Sequence, residues 1–266
     1  MNNNNFNIIN FLKIYSEDKL ALFFLINLII ILGLVIFGPL ITLQNPYDLS
    51  QLNILDSLLP PLSQAYENNY FLLGTDDQGR DLLSAIIYGL RISLYVGSLS
   101  VIISLIVGII LGVVSAYFGG FVDNFIMRVA DMVLAMPSFL IALVLLSILG
   151  RGLENVVFAL VMSQWATFAR VIRSSALSEK EKDYFYSARC LCLPQSRIIF
   201  GHLLPNCLPP IIVLSTINLA FAITLEASLS FLGVGLPITE PSIGLIISNG
   251  YEYIIVGKYW MSLYPG

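Results

Sequence analysis

The chain has 266 residues, of which 57% are hydrophobic and 11% are charged, and its formal net charge is -4. A soluble globular domain typically carries about 25% charged residues, so this composition, with a mean hydropathy of +0.85, excludes that class and favours a protein of the lipid bilayer. The acidic balance and the lack of a dense basic stripe argue against nucleic acid as a partner.

The amino-terminal part predicts a tail followed by one membrane anchor. Residues 1–19 start with an Asn-rich run that has no apolar face to bury, which is typical of a disordered cytoplasmic tail. Residues 20–43 form an apolar run long enough for a helix across a hydrocarbon core of about 30 Å. This run lacks a small-residue cleavage site and leads into Pro46, so we expect an uncleaved anchor rather than a signal peptide.

Residues 44–90 are predicted to form the one sizeable segment on the outer side, periplasmic or extracellular. Its most distinctive run contains the candidate residues Gly74, Asp76, Asp77, Arg80 and Asp81. Asp76 could cap a helix that starts near Gly79, with Asp81 in the first turn of that helix. This local interpretation explains the run without any ligand.

Further apolar runs predict membrane helices in the remainder of the chain, residues 91–266. The runs are 94–118, 125–149, 153–172 and 207–232, and a further span is expected to begin near Tyr259. Only helices and closed barrels satisfy their backbone groups in lipid, and these uniform runs lack the alternation of barrel strands. The predicted fold class is therefore all-α, a polytopic transmembrane helical bundle of five spans plus a truncated sixth.

Small residues in the second of these spans predict close helix packing. Most of them fall four positions apart: Gly97, Ser100, Ser104, Gly108, Gly112 and Ser115. Such a stripe lets two helix backbones approach each other, so we interpret it as packing rather than chemistry.

Ionisable residues and prolines inside membrane helices are costly and therefore informative. Asp131 follows Arg128 by three residues, so we expect these two side chains to pair. Pro137 should break or kink the third span and free a carbonyl that a pore or a neighbour must satisfy. Glu226 has no basic residue within four positions, and two interpretations stay open. Either it lines a translocation path, with Ser228 and Pro137 as further candidates, or it makes an interhelical hydrogen bond as a protonated acid.

A polar insert, residues 173–206, separates the fourth and fifth spans. Its apolar residues recur at helical spacing among five basic and three acidic side chains. With the amino terminus placed inside, nine of the 13 lysines and arginines fall on that side, so the positive-inside rule predicts a cytoplasmic amino terminus and a cytoplasmic insert. We interpret the insert as a docking surface for a soluble partner; a helix that lies on lipid headgroups is the alternative.

The residues do not favour an enzyme. His202 is the single histidine, and Cys190, Cys192 and Cys207 fit no zinc spacing, while a reducing cytosol disfavours a disulfide. The chain also lacks a phosphate-binding loop of the G-x-x-x-x-G-K-[ST] type. We therefore predict no catalytic residue, no metal and no cofactor in this chain, and any ATP hydrolysis must come from another chain.

Four motifs, in order along residues 10 to 266, carry a resemblance to a known family. They are Leu73-Gly74-Thr75-Asp76-Asp77-Gln78-Gly79-Arg80-Asp81, Tyr117-Phe118-Gly119-Gly120-Phe121-Val122-Asp123, His202-Leu203-Leu204-Pro205-Asn206 and Glu226-Ala227-Ser228-Leu229-Ser230-Phe231-Leu232-Gly233. On these motifs the chain resembles the inner-membrane permease subunits of ABC importers for dipeptides, oligopeptides or nickel. The resemblance implies a type I importer fold in the bacterial cytoplasmic membrane.

The resemblance also implies partners. They are a second, homologous permease subunit that completes a heterodimer, two ABC ATPase subunits that bind ATP and Mg, an extracytoplasmic substrate-binding protein, and the lipid bilayer. For the outer motif, the resemblance adds a second interpretation, in which Asp76, Asp77 and Arg80 shape the mouth that meets the substrate-binding protein.

The insert matches the family's coupling loop, in which a short amphipathic helix, here expected around residues 187–191, inserts into a groove on an ATPase subunit. The small residues Ser187 and Ala188 would allow a close approach. The candidate residues of this loop are Asp183, Ser187, Ala188, Arg189, Cys192, His202, Pro205 and Asn206.

Two departures from the family pattern stand out. Cys192 occupies the turn of the coupling loop where a glycine is expected. A cysteine at positive φ would be strained, which leaves open that the turn differs from that of the family. Residues 260–266 look like the approach to a last span, so we expect either a truncated product or an incomplete sequence.

The leading functional hypothesis is a permease subunit that translocates di- or oligopeptides and is powered by ATP hydrolysis in separate subunits. A nickel or other small-solute permease and a truncated, non-functional remnant are alternatives. An independent secondary transporter is a further alternative, which should show two related halves and charged sites at the membrane midplane.

Overall fold

The computed structural model describes residues 18–48, 50, 52–64, 66, 70–237, 239–240 and 242–266. The predicted tail therefore lies, up to residue 17, outside the described residues. The chain divides into two compact units, Met1–Arg91 and Ile92–Gly266.

The first unit begins with helix α1, Lys19–Ile41, at the predicted anchor. Asp18 caps this helix by accepting hydrogen bonds from the backbone N–H groups of Leu20 and Ala21, at 2.9 and 3.3 Å. The apolar side chains of α1 are exposed along most of its length, as contact with lipid requires. A 3-10 turn, Ile54–Asp56, and a short antiparallel pair of strands follow, β1 Ser63–Gln64 and β2 Tyr70–Phe71.

Helix α2, Leu82–Phe118, begins 12 residues before the predicted start at residue 94. The last nine residues of the predicted outer segment 44–90 are therefore helical. Asp81 starts the helix, because its carboxylate accepts a hydrogen bond from the Ser84 backbone N–H at 2.9 Å. At 1.5 Å per residue, 37 residues extend about 55 Å, well beyond the ~30 Å hydrocarbon core.

The second unit continues α2 and adds the remaining helices. They are α3 Gly120–Leu134, α4 Ser138–Leu149, α5 Leu153–Lys180, α6 Asp183–Cys190, α7 Gln195–Ile198, α8 Leu204–Phe231, α9 Ile243–Tyr253 and α10 Trp260–Leu263. A π-helical turn, Ile199–Leu203, joins α7 to α8. Across the described residues, four helical stretches are long and apolar enough to cross a membrane, and a bent pair adds a fifth candidate. The fold is thus a predominantly helical, polytopic bundle, as predicted.

Pro137 breaks the third predicted span, which confirms that part of the prediction. Helices α3 and α4 meet there at 88°. The Val133 C=O, which a continuous helix would bond to residue 137, accepts the Met136 N–H at 3.2 Å instead.

The core of the second unit centres on α5. Gly108 and Gly112 of α2 face Phe168 and Ile172 of α5, and a Cβ at Gly112 would lie 2.7 Å from the Ala169 carbonyl oxygen. The small-residue stripe therefore serves close packing, as predicted. The predicted Arg128–Asp131 pair is wrong, because Asp131 forms its ion pair with Arg170 of α5.

Near the end of the described chain, α10 begins at Trp260, close to the predicted start at Tyr259. Helix α9 was not predicted from the sequence. Gly250 of α9 lies against the backbone of Met261, and Met261 is buried, so these two short helices pack on each other.

Candidate functional site

Helix α6 is the short helix of the polar insert, and it begins four residues before the predicted 187–191. Phe185 and Ala188, three residues apart, are buried in the core of the second unit. Ser187 and Tyr186 are exposed, as are Asp183, Arg189 and Cys190. The expectation that Ala188 approaches a partner needs correction: at 5% exposure, its methyl group packs inside this chain, and the surface available to a partner is the face that carries Ser187.

Hydrogen bonds fix α6 to both long helices that flank it. The Tyr184 hydroxyl donates to Glu179 Oε2 of α5 at 2.6 Å, and Lys182 Nζ donates to Glu179 Oε1 at 2.7 Å. From α8, Asn206 Nδ2 donates to the Tyr184 hydroxyl at 3.2 Å and to the His202 carbonyl at 2.7 Å. Burial, followed by the bond to Glu179, raises the pKa of Tyr184 to about 12. The predicted residue Asn206 thus holds α6 in place. Half-buried His202 lies in the π-helical turn Ile199–Leu203, and Pro205 is exposed in the first turn of α8.

The turn at the end of α6 keeps the positive φ of a glycine position although a cysteine occupies it, since Cys192 has φ of 51°. The Cys192 N–H donates to the Arg189 carbonyl at 2.9 Å and the Leu193 N–H donates to the Ala188 carbonyl at 3.4 Å. These two bonds form a Schellman motif, whose left-handed position usually holds glycine. Cys190 and Cys192 are exposed and Cys207 is buried, and all three thiols are free.

A second set of polar contacts fixes α5 near the insert, and sequence reasoning missed it. Arg173 of α5 donates two hydrogen bonds of 2.5 Å to the Asp123 carboxylate of α3, to which Ser115 also donates. Lys180 Nζ donates to the Ala116 carbonyl at 2.6 Å. These contacts tie the α2–α3 corner to the end of α5 that leads into α6. No local sequence pattern predicts these contacts, since Arg173 and Asp123 are 50 residues apart.

The second candidate site is a cavity of about 450 Å³ among α4, α5 and α8. Its polar lining residues are Ser138, Ser163, Gln164, Thr167, Asn218, Thr224 and Ser228. A neighbouring cavity of about 590 Å³ shares Phe139, Thr224 and Ser228 with it. Ser228 lines both cavities, and Pro137 is exposed next to Ser138, which lines the first. Gln164 and Asn218 were missed, although uncharged amides inside apolar runs could have signalled them.

Glu226 does not line either cavity. It is fully buried, and its carboxylate accepts hydrogen bonds from Ser93 Oγ of α2 at 2.7 Å and Ser230 Oγ at 2.8 Å. Of the two interpretations left open, the structure supports the interhelical hydrogen bond, although the Ser93 hydroxyl and not a protonated acid is its donor. The assignment of Glu226 to the path wall is corrected.

The outer motif forms a local turn within the first unit, as the interpretation without a ligand predicts. Asp76 Oδ1 accepts the backbone N–H of Gln78 at 2.9 Å and of Arg80 at 2.8 Å, so Asp76 forms a turn. The helix cap predicted at Asp76 belongs to Asp81 instead. Burial raises the pKa of Asp76 to about 6, although both backbone hydrogen bonds oppose the shift.

The remaining residues of this motif are largely enclosed. Arg80 and Asp81 are buried, and Asp77 is half-buried. Gly74 has φ of 83°, and a Cβ there would lie 2.5 Å from the Leu59 carbonyl oxygen. The motif therefore shapes the turn before α2, and among its polar residues only Asp77 and Gln78 retain partial exposure.

Comparison with known proteins places these features in a family. Residues 104–263 match the family described as the binding-protein-dependent transport system inner membrane component. Residues 10–61 match the N-terminal TM domain of oligopeptide transport permease C.

Three relatives illustrate the similarity. The dipeptide transport system permease protein DppC of Haemophilus influenzae is 36% identical over 252 residues, which cover 95% of this chain and 84% of the relative. The di/tripeptide transport system permease protein DppC of Pseudomonas aeruginosa is 37% identical, with 96% and 83% covered. The oligopeptide transport system permease protein OppC of Bacillus subtilis is 34% identical, with 89% and 74% covered. The chain therefore belongs to the family of binding-protein-dependent transport system inner membrane components.

Proposed function

We propose that this chain is one of two different permease subunits of an ABC importer that carries di- or oligopeptides across the bacterial cytoplasmic membrane. Three relatives at 34% identity or more are named for dipeptide, di/tripeptide and oligopeptide transport. Family membership disfavours the alternative of an independent secondary transporter. ATP is hydrolysed in two partner ATPase subunits, and an extracytoplasmic binding protein delivers the peptide.

The observation that carries this proposal is the two-sided construction of α6. One face, with Phe185 and Ala188, is embedded in the core of the second unit, and Tyr184 is bonded to Glu179. The opposite face, with Tyr186 and Ser187, is exposed. A helix fixed in this way transmits a push on its exposed face to α5 and α8 as a rigid body, which is what coupling to a nucleotide-driven ATPase requires.

We also propose how the chain is oriented in the membrane. The amino terminus and α6 lie on the cytoplasmic side, because most lysines and arginines then face the cytoplasm. Helix α1, helix α2, the bent pair α3–α4, helix α5 and the stretch Gln195–Phe231 are the five spans, and α10 is the start of a sixth.

Co-purification of a tagged chain with its partner permease and ATPase subunits tests the docking role. Ser187→Arg places a charged side chain on the exposed face of α6, and we expect it to abolish ATPase capture while the partner permease is retained. Ser196→Arg makes the same change at an exposed serine of α7 and should capture ATPase like the wild type. Equal ATPase capture by both variants would overturn the docking role of α6.

A further inference from the structure

The cavity among α4, α5 and α8 contains a side-chain amide that is buried without a partner. Gln164 of α5 is 5% exposed, and neither its Nε2 nor its Oε1 has a hydrogen-bond partner among the described residues. Buried polar groups in native proteins are nearly always paired, so an orphaned amide on a cavity wall points to a group that binds there.

The rest of the cavity wall shows which chemistry would fit. None of the described residues that line it is charged. The hydroxyls of Ser163, Thr224 and Ser228 donate to carbonyls of their own helices at 2.8, 2.9 and 2.8 Å, so their oxygens can still accept. Asn218 Nδ2 likewise donates to the Leu214 carbonyl at 2.9 Å. The wall therefore offers hydrogen-bond acceptors and one amide, that of Gln164, whose donor and acceptor atoms both lack a partner among the described residues.

We infer that Gln164 binds the backbone of the transported peptide. A primary amide offers both an N–H donor and a C=O acceptor, so one peptide unit, with its own C=O and N–H, can satisfy both atoms of Gln164. The inference rests on the proposed function and adds a peptide-contacting residue to it.

Size and polarity agree with this assignment. A volume of about 450 Å³ lies within the ~300–1,000 Å³ range of small-molecule sites. Phe139 and Phe221 supply apolar surface beside the amides. Because the uncharged wall contacts the backbone that all peptides share, the site should accept neutral, acidic and basic side chains alike.

The test uses the complete transporter, with partner permease, ATPases and binding protein, in proteoliposomes. ATP-driven uptake of trialanine, trilysine and triglutamate is measured for the wild type, Gln164→Leu and the control Thr216→Val. Thr216 is an exposed threonine of α8 that does not line the cavity. We expect Gln164→Leu to slow uptake about tenfold for all three peptides, with unchanged subunit composition, and Thr216→Val to transport like the wild type.

Each other outcome overturns the inference for a different reason. Unchanged uptake would show that Gln164 contacts no substrate, and a loss confined to one tripeptide would show side-chain rather than backbone recognition. Loss of the partner permease from the Gln164→Leu complex would assign the amide to a contact between subunits. If the wild-type complex transports none of the tripeptides, the proposed peptide transport itself is wrong, and the inference falls with it.

Discussion

Replacing Cys192 with glycine should stabilise the end of helix α6, whereas the same replacement two residues earlier should weaken it. Cys192 has φ of 51° and closes a Schellman motif, a conformation that costs a residue with a Cβ about 1–2 kcal/mol. Glycine removes this strain, but it also raises the conformational entropy of the unfolded chain, which offsets about 0.4–1 kcal/mol of the gain. The Cys192 side chain is exposed, so little packing is lost, and the net gain should be about 0.5–1 kcal/mol.

Cys190→Gly is the matched control, because Cys190 is also an exposed cysteine but lies inside α6. Glycine in a helix costs up to about 1 kcal/mol relative to better helix formers, so this variant should lose stability. Hydrogen exchange of the backbone amides in residues 183–193 measures both effects, since local opening sets the exchange rate. We expect about two- to fivefold slower exchange for Cys192→Gly, corrected for intrinsic rates, and faster exchange for Cys190→Gly. A slowing in both, or in neither, would refute the assignment of strain to Cys192.

Three further predictions concern other contacts. Tyr184→Phe removes the hydrogen bond to Glu179 but keeps the ring, so it should cost about 1–2 kcal/mol of local stability around α6 and speed up hydrogen exchange there. Hydrogen exchange equal to that of the wild type would show that the bond contributes nothing to stability. Asp123→Asn weakens the contacts with Arg173, so limited proteolysis at the α2–α3 corner should accelerate, whereas Asp131→Asn, at an exposed pair with Arg170, should change it little. The raised pKa of Asp76, about 6 against an ordinary 3.8, means that the folded outer segment binds a proton more tightly than the unfolded one. The stability of this segment should therefore be greatest below pH 4 and should fall by up to about 3 kcal/mol as pH rises through 6. Asp76→Asn keeps the Oδ1 acceptor but does not titrate, so hydrogen-exchange protection that still falls with pH in this variant would contradict the prediction.

Features with a local cause could be predicted from the sequence. Apolar runs predicted the membrane helices, and Pro137 predicted the break between α3 and α4. The cysteine in place of the expected glycine identified position 192 as the turn with strained backbone. The predicted start of α2 was wrong because hydropathy indicates which residues contact lipid, whereas the hydrogen bond between Asp81 and Ser84 determines where the helix begins.

Features that depend on distant contacts could not be predicted. Arg173 reaches Asp123 across 50 residues, and Ser93 reaches Glu226 across 133. The burial of Ala188 depends on the packing of α6 against the core, which a single amphipathic turn does not reveal. The orphaned amide of Gln164 becomes visible only once α4, α5 and α8 enclose a cavity.

In the proposed function, ATP hydrolysis in partner subunits drives peptide transport through a push on α6. The decisive measurement is ATP-dependent accumulation of trialanine in proteoliposomes that contain the complete transporter, with Ser187→Arg and Ser196→Arg compared with the wild type. We expect the wild type and Ser196→Arg to accumulate the peptide and Ser187→Arg to accumulate none. If Ser187→Arg accumulates trialanine at the wild-type rate, α6 does not transmit the push and this coupling role is wrong.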